Sequence, residues 1–253
     1  MKILVTGTKG YIATSFAACM KNARTICLRD NSWRDISFAG YDAVLHTAGI
    51  AHVKENRRNQ FDYYTINRDL TVELAKKAKK ENVRQFVFLS TISVYGKVSG
   101  TITQNTPTVP TTNYGRSKLA AESLLTSLAG DTFKIAILRP PMVYGSGCPG
   151  NYSRLCRLVK MAPFFPDYQN ARSLISIENL CVFIQDIIEN EREGLFFPRD
   201  PAPVSTTKLA REIAKAQGKN LRLTKAFNPL ISLLMPIGVV SKLFGDLMID
   251  MDF

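Results

Sequence analysis

Histidine is scarce in this 253-residue sequence, which contains only His46 and His52. A histidine metal site or a serine–histidine catalytic triad is therefore hard to build from the chain. The five cysteines include no Cys-x-x-Cys pair, and several of them lie within apolar runs. This pattern indicates reduced, mostly buried thiols. We expect a cytoplasmic protein with neither a metal site nor a disulfide framework.

An unbroken apolar run of about 20 residues, the length that crosses a membrane, is also missing. Residues 229–249 are largely apolar, but Pro236, Gly238 and Lys242 interrupt them. We predict that this stretch forms a bent helix packed on a substrate lobe. The chain begins with the strand-like Lys2-Ile-Leu-Val5, so we expect no signal peptide and no membrane insertion.

Acidic residues are outnumbered, with 21 Asp and Glu against 33 Lys and Arg, which gives a net charge of +12. One predicted helix carries four lysines, Lys76, Lys77, Lys79 and Lys80. The simplest interpretation is that they form its solvent-exposed face. Arg154 and Arg157 share one face of a later helix. That face is either an anion-binding site or a solvent-exposed surface. No aromatic residues are interleaved with the charge, so we expect no nucleic acid partner. A phosphate-rich cofactor and substrate would use the charge equally well.

Strand-like and helical segments alternate along the first part of the sequence, which predicts an α/β fold with a doubly wound parallel sheet. We divide the chain into a nucleotide-binding domain over 1–145, with about 171–192 returning to it, and a small C-terminal substrate lobe over 146–170 and 193–253. The predicted strands cover residues 2–5, 25–28, 41–49, 83–90 and 133–138. The predicted helices cover about 64–80, 114–129, 152–160 and 205–217.

The first strand is followed by Gly7 and Gly10 and then by a helix start. Glycines at these places let the backbone approach a pyrophosphate, which then sits on the helix N-terminus. Ala13 stands where such motifs carry a third glycine. A plain strand–helix turn that happens to hold two glycines is the alternative, and we favour nucleotide binding.

The residue that ends the second strand contacts the adenosine ribose, and an acid there favours NAD while an arginine suits a 2′-phosphate. Arg29 and Asp30 compete for this position, and Lys9 in the glycine turn could also reach a 2′-phosphate. Two cations against one acid favour NADP(H), with NAD(H) as the alternative. The small Ala48 and Gly49 after the third strand would let the cofactor lie across it, whereas we interpret His46 as a packed core residue.

Thr91 follows a predicted strand, and Tyr114 and Lys118 are spaced four apart on a predicted helix. An ammonium beside a phenol stabilises the phenolate, so we expect Lys118 to lower the pKa of Tyr114. Hydroxyl, phenol and ammonium together form an acid–base set for alcohol–ketone interconversion. Taken alone, a Tyr-x-x-x-Lys pair is more often a solvated helix edge.

Four motifs occur in order: Thr6-Gly7-x-x-Gly10-Tyr-Ile, Ser90-Thr91-x-x-Val94-Tyr95-Gly96, Tyr114-x-x-x-Lys118 and Arg139-Pro-x-x-Val143-Tyr144-Gly145. In combination they resemble the extended short-chain dehydrogenase/reductases, the NAD-dependent epimerase/dehydratase family that acts on nucleotide sugars. This resemblance covers almost the whole chain and implies a Rossmann-type sheet. Residues 138–147, 150–155 and 172–174 are most similar to reductases and 4-epimerases of UDP-N-acetyl-6-deoxyhexosamines, which serve bacterial surface polysaccharide pathways.

The resemblance implies that Tyr114 is the general acid/base, that Lys118 binds the nicotinamide ribose, and that Thr91 holds the reacting oxygen. The full set expected at the cofactor is Gly7, Lys9, Gly10, Tyr11, Ile12, Arg29, Asp30, Ala48, Gly49, Ser90, Tyr114, Lys118, Pro141 and Val143. The set expected at the substrate is Thr91, Ser93, Asn151 and Arg172, of which Asn151 and Arg172 fall where family members hold a nucleotide diphosphate. Asn67 matches a family helix start only in part, and we expect it to be as much structural as functional.

The resemblance leaves the reaction open between an NADPH-dependent reductase of a UDP-4-keto-6-deoxy-N-acetylhexosamine and a UDP-sugar 4-epimerase with retained NAD. A sensor or scaffold that binds cofactor without turnover is a third possibility, although it would have no need of the Thr91, Tyr114 and Lys118 set. The resemblance also implies a homodimer formed through the helices near residues 67–80 and 114–129. The last residues, 246–253, resemble a family segment that some tens more residues normally follow.

Overall fold

The computed structural model describes residues 1–51, 53, 55–56 and 58–250, so His52 and residues 251–253 lie outside the described part. The strands are β1 (Ile3–Thr6), β2 (Ala23–Ile26), β3 (Ala43–His46), β4 (Gln85–Leu89), β5 (Gly100–Ile102), β6 (Lys134–Leu138), β7 (Met142–Tyr144), β8 (Phe164–Pro166), β9 (Leu174–Ser176), β10 (Gly194–Phe196), β11 (Arg222–Thr224) and β12 (Leu247–Ile249). The α-helices are α1 (Tyr11–Cys19), α2 (Gln60–Tyr64), α3 (Leu70–Lys80), α4 (Asn113–Thr126), α5 (Asn151–Met161), α6 (Ile177–Glu189), α7 (Thr206–Ala216), α8 (Asn228–Leu233) and α9 (Gly238–Phe244). Short 3-10 helices occupy Asn31–Arg34 and Ile92–Tyr95, and a π-helical turn occupies Thr65–Asp69.

The chain forms two compact units, and we describe each by itself. The first unit contains residues 1–96, 108–140 and 177–198, and the second contains residues 97–107, 141–176 and 199–253. These bounds differ from the division made on the sequence. Residues 97–107 fall in the second unit because β5 pairs with β12, and the first unit extends to 198 because β10 pairs with β6.

A six-stranded parallel sheet, in the order β2-β1-β3-β4-β6-β10, forms the centre of the first unit. The chain passes from β1 to a neighbour on one side and then crosses to β3 on the other side of β1. Ligands of such sheets bind at the carboxyl ends of the strands where this reversal occurs. The predicted Rossmann-type doubly wound fold is confirmed, and its switch point lies between β1 and β3.

Apolar side chains on the faces of the sheet explain why helices cover it. Leu4, Val44, Phe86 and Ile135 are buried in one hydrophobic cluster with side chains from α3 and α4. These four residues are paired in register across neighbouring strands, so they point to the same face of the sheet. Helices α1 and α6 pack against each other elsewhere in the same unit. Burial on both faces accounts for the continuous apolar runs that the strands show in the sequence.

Several helix and strand boundaries in the structure differ from the predicted ones. The helical run predicted from about 64 begins at Gln60 and continues through the π-helical turn to Lys80. Helix α4 ends at Thr126, before Gly130, which instead forms a bridge with Phe133. Strand β2 ends at Ile26, two residues before the predicted end.

The second unit is built from three two-stranded parallel sheets, β5 with β12, β7 with β9 and β8 with β11. Side chains of α5, α7, α8 and α9 form its core, which includes Leu155, Leu209, Ile213, Ile231 and Phe244. No helix in the described part of the chain is long and apolar enough to cross a membrane.

The bent helix predicted over 229–249 is wrong. The segment forms α8, then α9, then β12. Pro236 lies between the two helices and has no N–H to continue a helical ladder, which accounts for the break. The residues of β12 pair with β5 in register, so the end of the segment is a strand.

Candidate active site

The turn after β1 has the geometry of a phosphate-binding loop. Gly7 has φ of +100°, a conformation that side chains disfavour, and a Cβ at this position would lie 3.6 Å from the Cβ of Ala48. Its N–H donates to the carbonyl of Ile26 at 2.8 Å, which fixes the turn between neighbouring strands. Gly10 then starts α1, and no described side chain caps that helix. The free N–H groups of α1 therefore fit the pyrophosphate of a dinucleotide.

The segment after β2 carries both candidates for the ribose contact, Arg29 and Asp30, and their contacts differ. Asp30 begins the 3-10 helix Asn31–Arg34, and its carboxylate accepts hydrogen bonds from the hydroxyl and the N–H of Ser32. These bonds lower the pKa of Asp30. Arg29 and Lys9 are exposed. The acid thus has a local partner, whereas the two cations point into solvent.

His46 at the end of β3 is a core residue, as predicted. Its ring is fully buried, stacks on Phe88 and contacts the hydroxyls of Thr6 at 2.7 Å and Thr71 at 2.9 Å. The Thr71 hydroxyl donates to the carbonyl of Asn67, so it must accept from His46 Nε2. Burial, together with the charge of Lys118, lowers the pKa of His46 to about 3. The histidine is therefore neutral and has no free nitrogen for catalysis.

Thr91 and Tyr114 come together in the first unit. Thr91 caps the 3-10 helix Ile92–Tyr95, and its Oγ1 accepts from the Ser93 N–H and donates to the Ser93 hydroxyl, both at 3.1 Å. The Thr91 hydroxyl lies close enough to the Tyr114 phenol to lower the pKa of that phenol. Thr91, Ser93 and Tyr114 therefore form one hydroxyl cluster at the carboxyl end of β4.

The pKa of Tyr114 is raised to about 12, opposite to the predicted lowering. Burial penalises the phenolate, and the nearby Thr91 hydroxyl offsets this only in part. Lys118 does not act as the expected counter-charge because its Nζ donates to the Leu89 carbonyl at 2.8 Å and lies 4.5 Å from the centre of the Phe88 ring. Burial also lowers the pKa of Lys118 to about 7, against the opposing effect of Glu122.

Asn67 links the loop after β3 to the helix that carries Tyr114. Its amide exchanges two hydrogen bonds with the backbone of Ile50, at 2.8 and 3.0 Å, and donates to the Ser117 hydroxyl at 3.2 Å. Gly49 lies beside this link, since a Cβ there would meet Asn67 Oδ1 at 2.8 Å and Lys118 Nζ at 3.5 Å. In the described structure Asn67 has a structural role, and Ala48, Gly49 and Lys118 share one corner of the site.

A buried ion pair behind the site was missed in the sequence. Arg139 binds both carboxylate oxygens of Glu122 and donates to the Tyr95 hydroxyl at 2.7 Å. Glu122 also accepts from the Ser90 hydroxyl. Ser90, which was predicted to contact the cofactor, is therefore held in place by its hydrogen bond to Glu122. Glu122 and Arg139 are 17 residues apart on different elements, so no local pattern in the sequence pointed to the pair.

The N-terminus of α4 has two further supports that sequence reasoning did not find. Glu55 accepts from the N–H groups of Asn113 and Tyr114, both at 3.0 Å. Gly115 allows the helix to lie on the 3-10 helix that carries Ser93, because a Cβ would stand 2.7 Å from the Ser93 carbonyl oxygen. Neither residue belongs to a motif with a chemical role, so the sequence gave no reason to single them out.

Tyr11 and Ile12 of the predicted cofactor set open α1 in the first unit, and the other four predicted residues lie in the second unit. Asn151 is the first residue of α5 and is exposed. Arg172 is half-buried, which lowers its pKa against the effect of Asp246, and its guanidinium donates to the Gly245 carbonyl at 2.5 Å. Pro141 is buried and Val143 pairs with Ile175 in the sheet of β7 and β9. Among the residues described, no cluster of three or more His, Cys, Asp or Glu could hold a metal ion.

The family model described as "NAD dependent epimerase/dehydratase family" matches residues 3–162, more than half of the chain. The chain belongs to the NAD-dependent epimerase/dehydratase family. One relative, a UDP-glucose 4-epimerase of Vibrio cholerae, is 36% identical over 215 residues, which cover 81% of this chain and 62% of the relative. The matched regions span between 54% and 66% of the length of three curated relatives.

Two solved structures share the fold of this epimerase/dehydratase family member. A UDP-glucuronic acid 4-epimerase of Bacillus cereus in complex with NAD gives a TM-score of 0.73 at 19% identity, covering 99% of this chain and 90% of that one. A dTDP-4-dehydrorhamnose reductase of Bacillus anthracis in complex with NADP gives 0.70 at 18% identity, covering 90% and 86%. The glycine turn and the switch point of this chain fit the dinucleotide cofactor after which the family is described.

Proposed function

We propose that this protein is an NAD(P)-dependent oxidoreductase that acts at C4 of a nucleotide sugar. The observation that carries the proposal is that the Thr91 hydroxyl lies close enough to the Tyr114 phenol to influence its pKa, with Lys118 one helical turn further on and buried beside Gly49. The cluster lies at the carboxyl ends of the strands, on the side where the glycine turn would hold the cofactor.

In the reductive direction, Tyr114 donates a proton to the oxygen that becomes the C4 hydroxyl. Its pKa of about 12 keeps the phenol protonated at neutral pH, so it begins the cycle as an acid. Thr91 donates a hydrogen bond to the same oxygen. Lys118, by the resemblance, binds the nicotinamide ribose. A bound nicotinamide supplies or accepts the hydride.

For the cofactor we propose NADP(H). Support comes from Asp30, whose carboxylate is engaged with Ser32, and from two exposed cations, Arg29 after β2 and Lys9 in the glycine turn. An exposed arginine matches a 2′-phosphate by charge and by its bidentate geometry. A reductase that exchanges NADPH at every turnover draws on the cytoplasmic pool, so a cytoplasmic location is part of this proposal.

For the substrate we propose a UDP-4-keto-6-deoxy-N-acetylhexosamine, reduced during surface polysaccharide biosynthesis. The support is the likeness of residues 138–147, 150–155 and 172–174 to reductases and 4-epimerases of UDP-N-acetyl-6-deoxyhexosamines. Asn151 and Arg172 are the proposed contacts to the nucleotide diphosphate. Arg172 would have to exchange its bond to the Gly245 carbonyl for the phosphate.

The second candidate is a UDP-sugar 4-epimerase, which oxidises and then re-reduces C4 with a retained NAD. The Vibrio cholerae relative, named as a UDP-glucose 4-epimerase, favours it. The same Thr91, Tyr114 and Lys118 would serve both directions, with Asp30 in place of Arg29 at the ribose.

Calorimetric titration with NADPH and with NADH, after analysis of any co-purified nucleotide, separates the two candidates. The reductase predicts NADPH preference with nothing retained, and Arg29→Ala should weaken NADPH binding while leaving NADH binding unchanged. Tightly retained NAD would favour the epimerase. Binding of neither nucleotide would contradict both.

We also propose a homodimer formed through α3 and α4, on the basis of the family resemblance. Light scattering after gel filtration should give twice the chain mass, and a monomer across the micromolar range would contradict the proposal.

A further inference from the structure

The segment from Lys219 to Lys242 in the second unit presents large apolar side chains to solvent. Five of them are exposed: Phe227 by 45%, Leu230 by 52%, Leu233 by 75%, Ile237 by 51% and Val239 by 69%. Soluble surfaces carry single exposed aliphatic residues as a matter of course, but five within thirteen positions are a concentration.

These side chains are held outward by a fixed arrangement. In α8, Ile231 packs into the core of the second unit, while Leu230 and Leu233, three residues apart, share the opposite face. In α9, Ser241 and Phe244 are buried, which leaves Val239 and Lys242 outward. Asn228 anchors the start of α8 by donating to the Asp167 carbonyl at 2.9 Å. The apolar surface is therefore a property of the packed helices.

The charge around this surface has one sign. The segment contains Lys219, Arg222, Lys225 and Lys242, and no Asp or Glu occurs from 213 to 245. Lys219 also ties the segment to the end of α5, where its Nζ donates to the carbonyls of Val159 at 2.8 Å and Lys160 at 3.0 Å. Helix α5 adds exposed cations at Arg154, Arg157 and Lys160.

We propose that residues 219–242 form a docking surface for an anionic lipid bilayer, in which α8 and α9 lie in the plane of the interface. Aliphatic side chains flanked by lysine and arginine are the pattern of helices that rest at the boundary between headgroups and acyl chains. The cations match the negative surface of an anionic leaflet. The contact is peripheral, and it holds or fails independently of the reaction at Tyr114.

The charge pattern argues against the other occupants. A two-fold contact between copies of this chain would bring the same four cations together without a carboxylate in the segment to pair with them. A nucleic acid would use the cations, but only Phe227 among the five exposed side chains offers a ring for stacking. The combination of aliphatic centre and basic flanks fits a lipid surface best.

Vesicle flotation tests the proposal with the full chain and vesicles of either pure phosphatidylcholine or phosphatidylcholine containing phosphatidylglycerol. We expect binding to the anionic vesicles only, weakened by added salt. Leu233→Glu should lower the partition coefficient about tenfold, since it places a charge at the acyl boundary. Val182→Glu is the matched control, because Val182 is a 65% exposed aliphatic residue of the first unit. It should bind like the wild type.

Equal binding to both vesicle types, or equal loss in the Leu233→Glu and Val182→Glu variants, would overturn the proposal. So would a self-association in light scattering that Leu233→Glu abolishes without any vesicle binding by the wild type, since the surface would then be a protein interface. Unchanged thermal unfolding of both variants shows that a loss of binding is not a loss of folding.

Discussion

At the scale of single residues, His46 shows how one neutral side chain can organise a site without taking part in chemistry. Its two ring nitrogens join Thr6 at the end of β1 to Thr71 of α3, whose hydroxyl in turn reaches the Asn67 carbonyl. The glycine turn after β1 and the Asn67 link to α4 are therefore connected through one imidazole. Protonation would put a charge in this fully buried place.

Lowering the pH should reduce the free energy of unfolding because of His46. Its pKa is about 3 in the folded state against 6.5 when unfolded, so below pH 6.5 only the unfolded state gains the proton. Stability is unaffected by this group above pH 6.5 and falls as the pH drops towards 3. Between pH 7 and 4 the loss is on the order of 3 kcal/mol. Urea unfolding of the wild type and His46→Gln at several pH values measures it.

The variant should be less stable at pH 7, because Thr6 and Thr71 lose their partner, but its stability should fall less steeply with acid. Parallel curves for the two proteins would contradict the assignment of a neutral, buried imidazole.

At the scale of elements, the site depends on how closely α4 lies on the 3-10 helix Ile92–Tyr95. Gly115→Ala should separate them, since its Cβ would stand 2.7 Å from the backbone oxygen of Ser93. Moving Tyr114 away from Thr91 by about 1 Å should lower kcat about 100-fold. Steady-state kinetics and thermal unfolding measure the effect. Gly130→Ala is the matched control, because no atom lies within 4 Å of a Cβ there, and a similar loss in that variant would refute the argument.

Helix α4 also depends on a carboxylate from outside its own sequence. Its first turn has no acidic residue, and Glu55 binds the N–H groups of Asn113 and Tyr114. Glu55→Ala should cost about 1 kcal/mol of unfolding free energy, as for a lost helix cap. It should also lower kcat more than it raises the KM for cofactor, because it loosens the turn that carries Tyr114. Glu55→Gln should restore part of both, while Glu193→Ala, at an exposed position, should change neither.

The elements also show how far sequence patterns reach. The sequence could predict the buried strands from their apolar runs, the glycine turn from its glycines, and the Tyr114 helix from its capping residues and helical spacing. The end of β2, the cap by Glu55 and the Glu122–Arg139 pair depend on contacts between segments distant in the sequence, which no local pattern records. The pKa of Tyr114 was mispredicted because neighbouring charge is visible in a sequence and burial is not. The break at Pro236 was visible, but the pairing of β12 with β5 was not.

At the scale of the whole molecule, the strand order decides where chemistry can occur. The reversal between β1 and β3 places the glycine turn and the Ala48–Gly49 corner at the carboxyl edge of the sheet, and β4 delivers Thr91 to the same edge. The described acid–base residues Thr91, Tyr114 and Lys118 all belong to the first unit, whereas Asn151 and Arg172, the proposed contacts to the substrate, belong to the second.

The most direct test of the central claim is turnover of a 4-keto nucleotide sugar with NADPH by Tyr114→Phe, compared with Tyr41→Phe as a tyrosine control in the same unit. Loss of the acid should lower kcat by about 10²- to 10⁴-fold, with NADPH binding unchanged by calorimetry, while Tyr41→Phe should retain wild-type turnover. If Tyr114→Phe keeps more than a few per cent of the activity, Tyr114 is not the acid and the proposed mechanism is wrong.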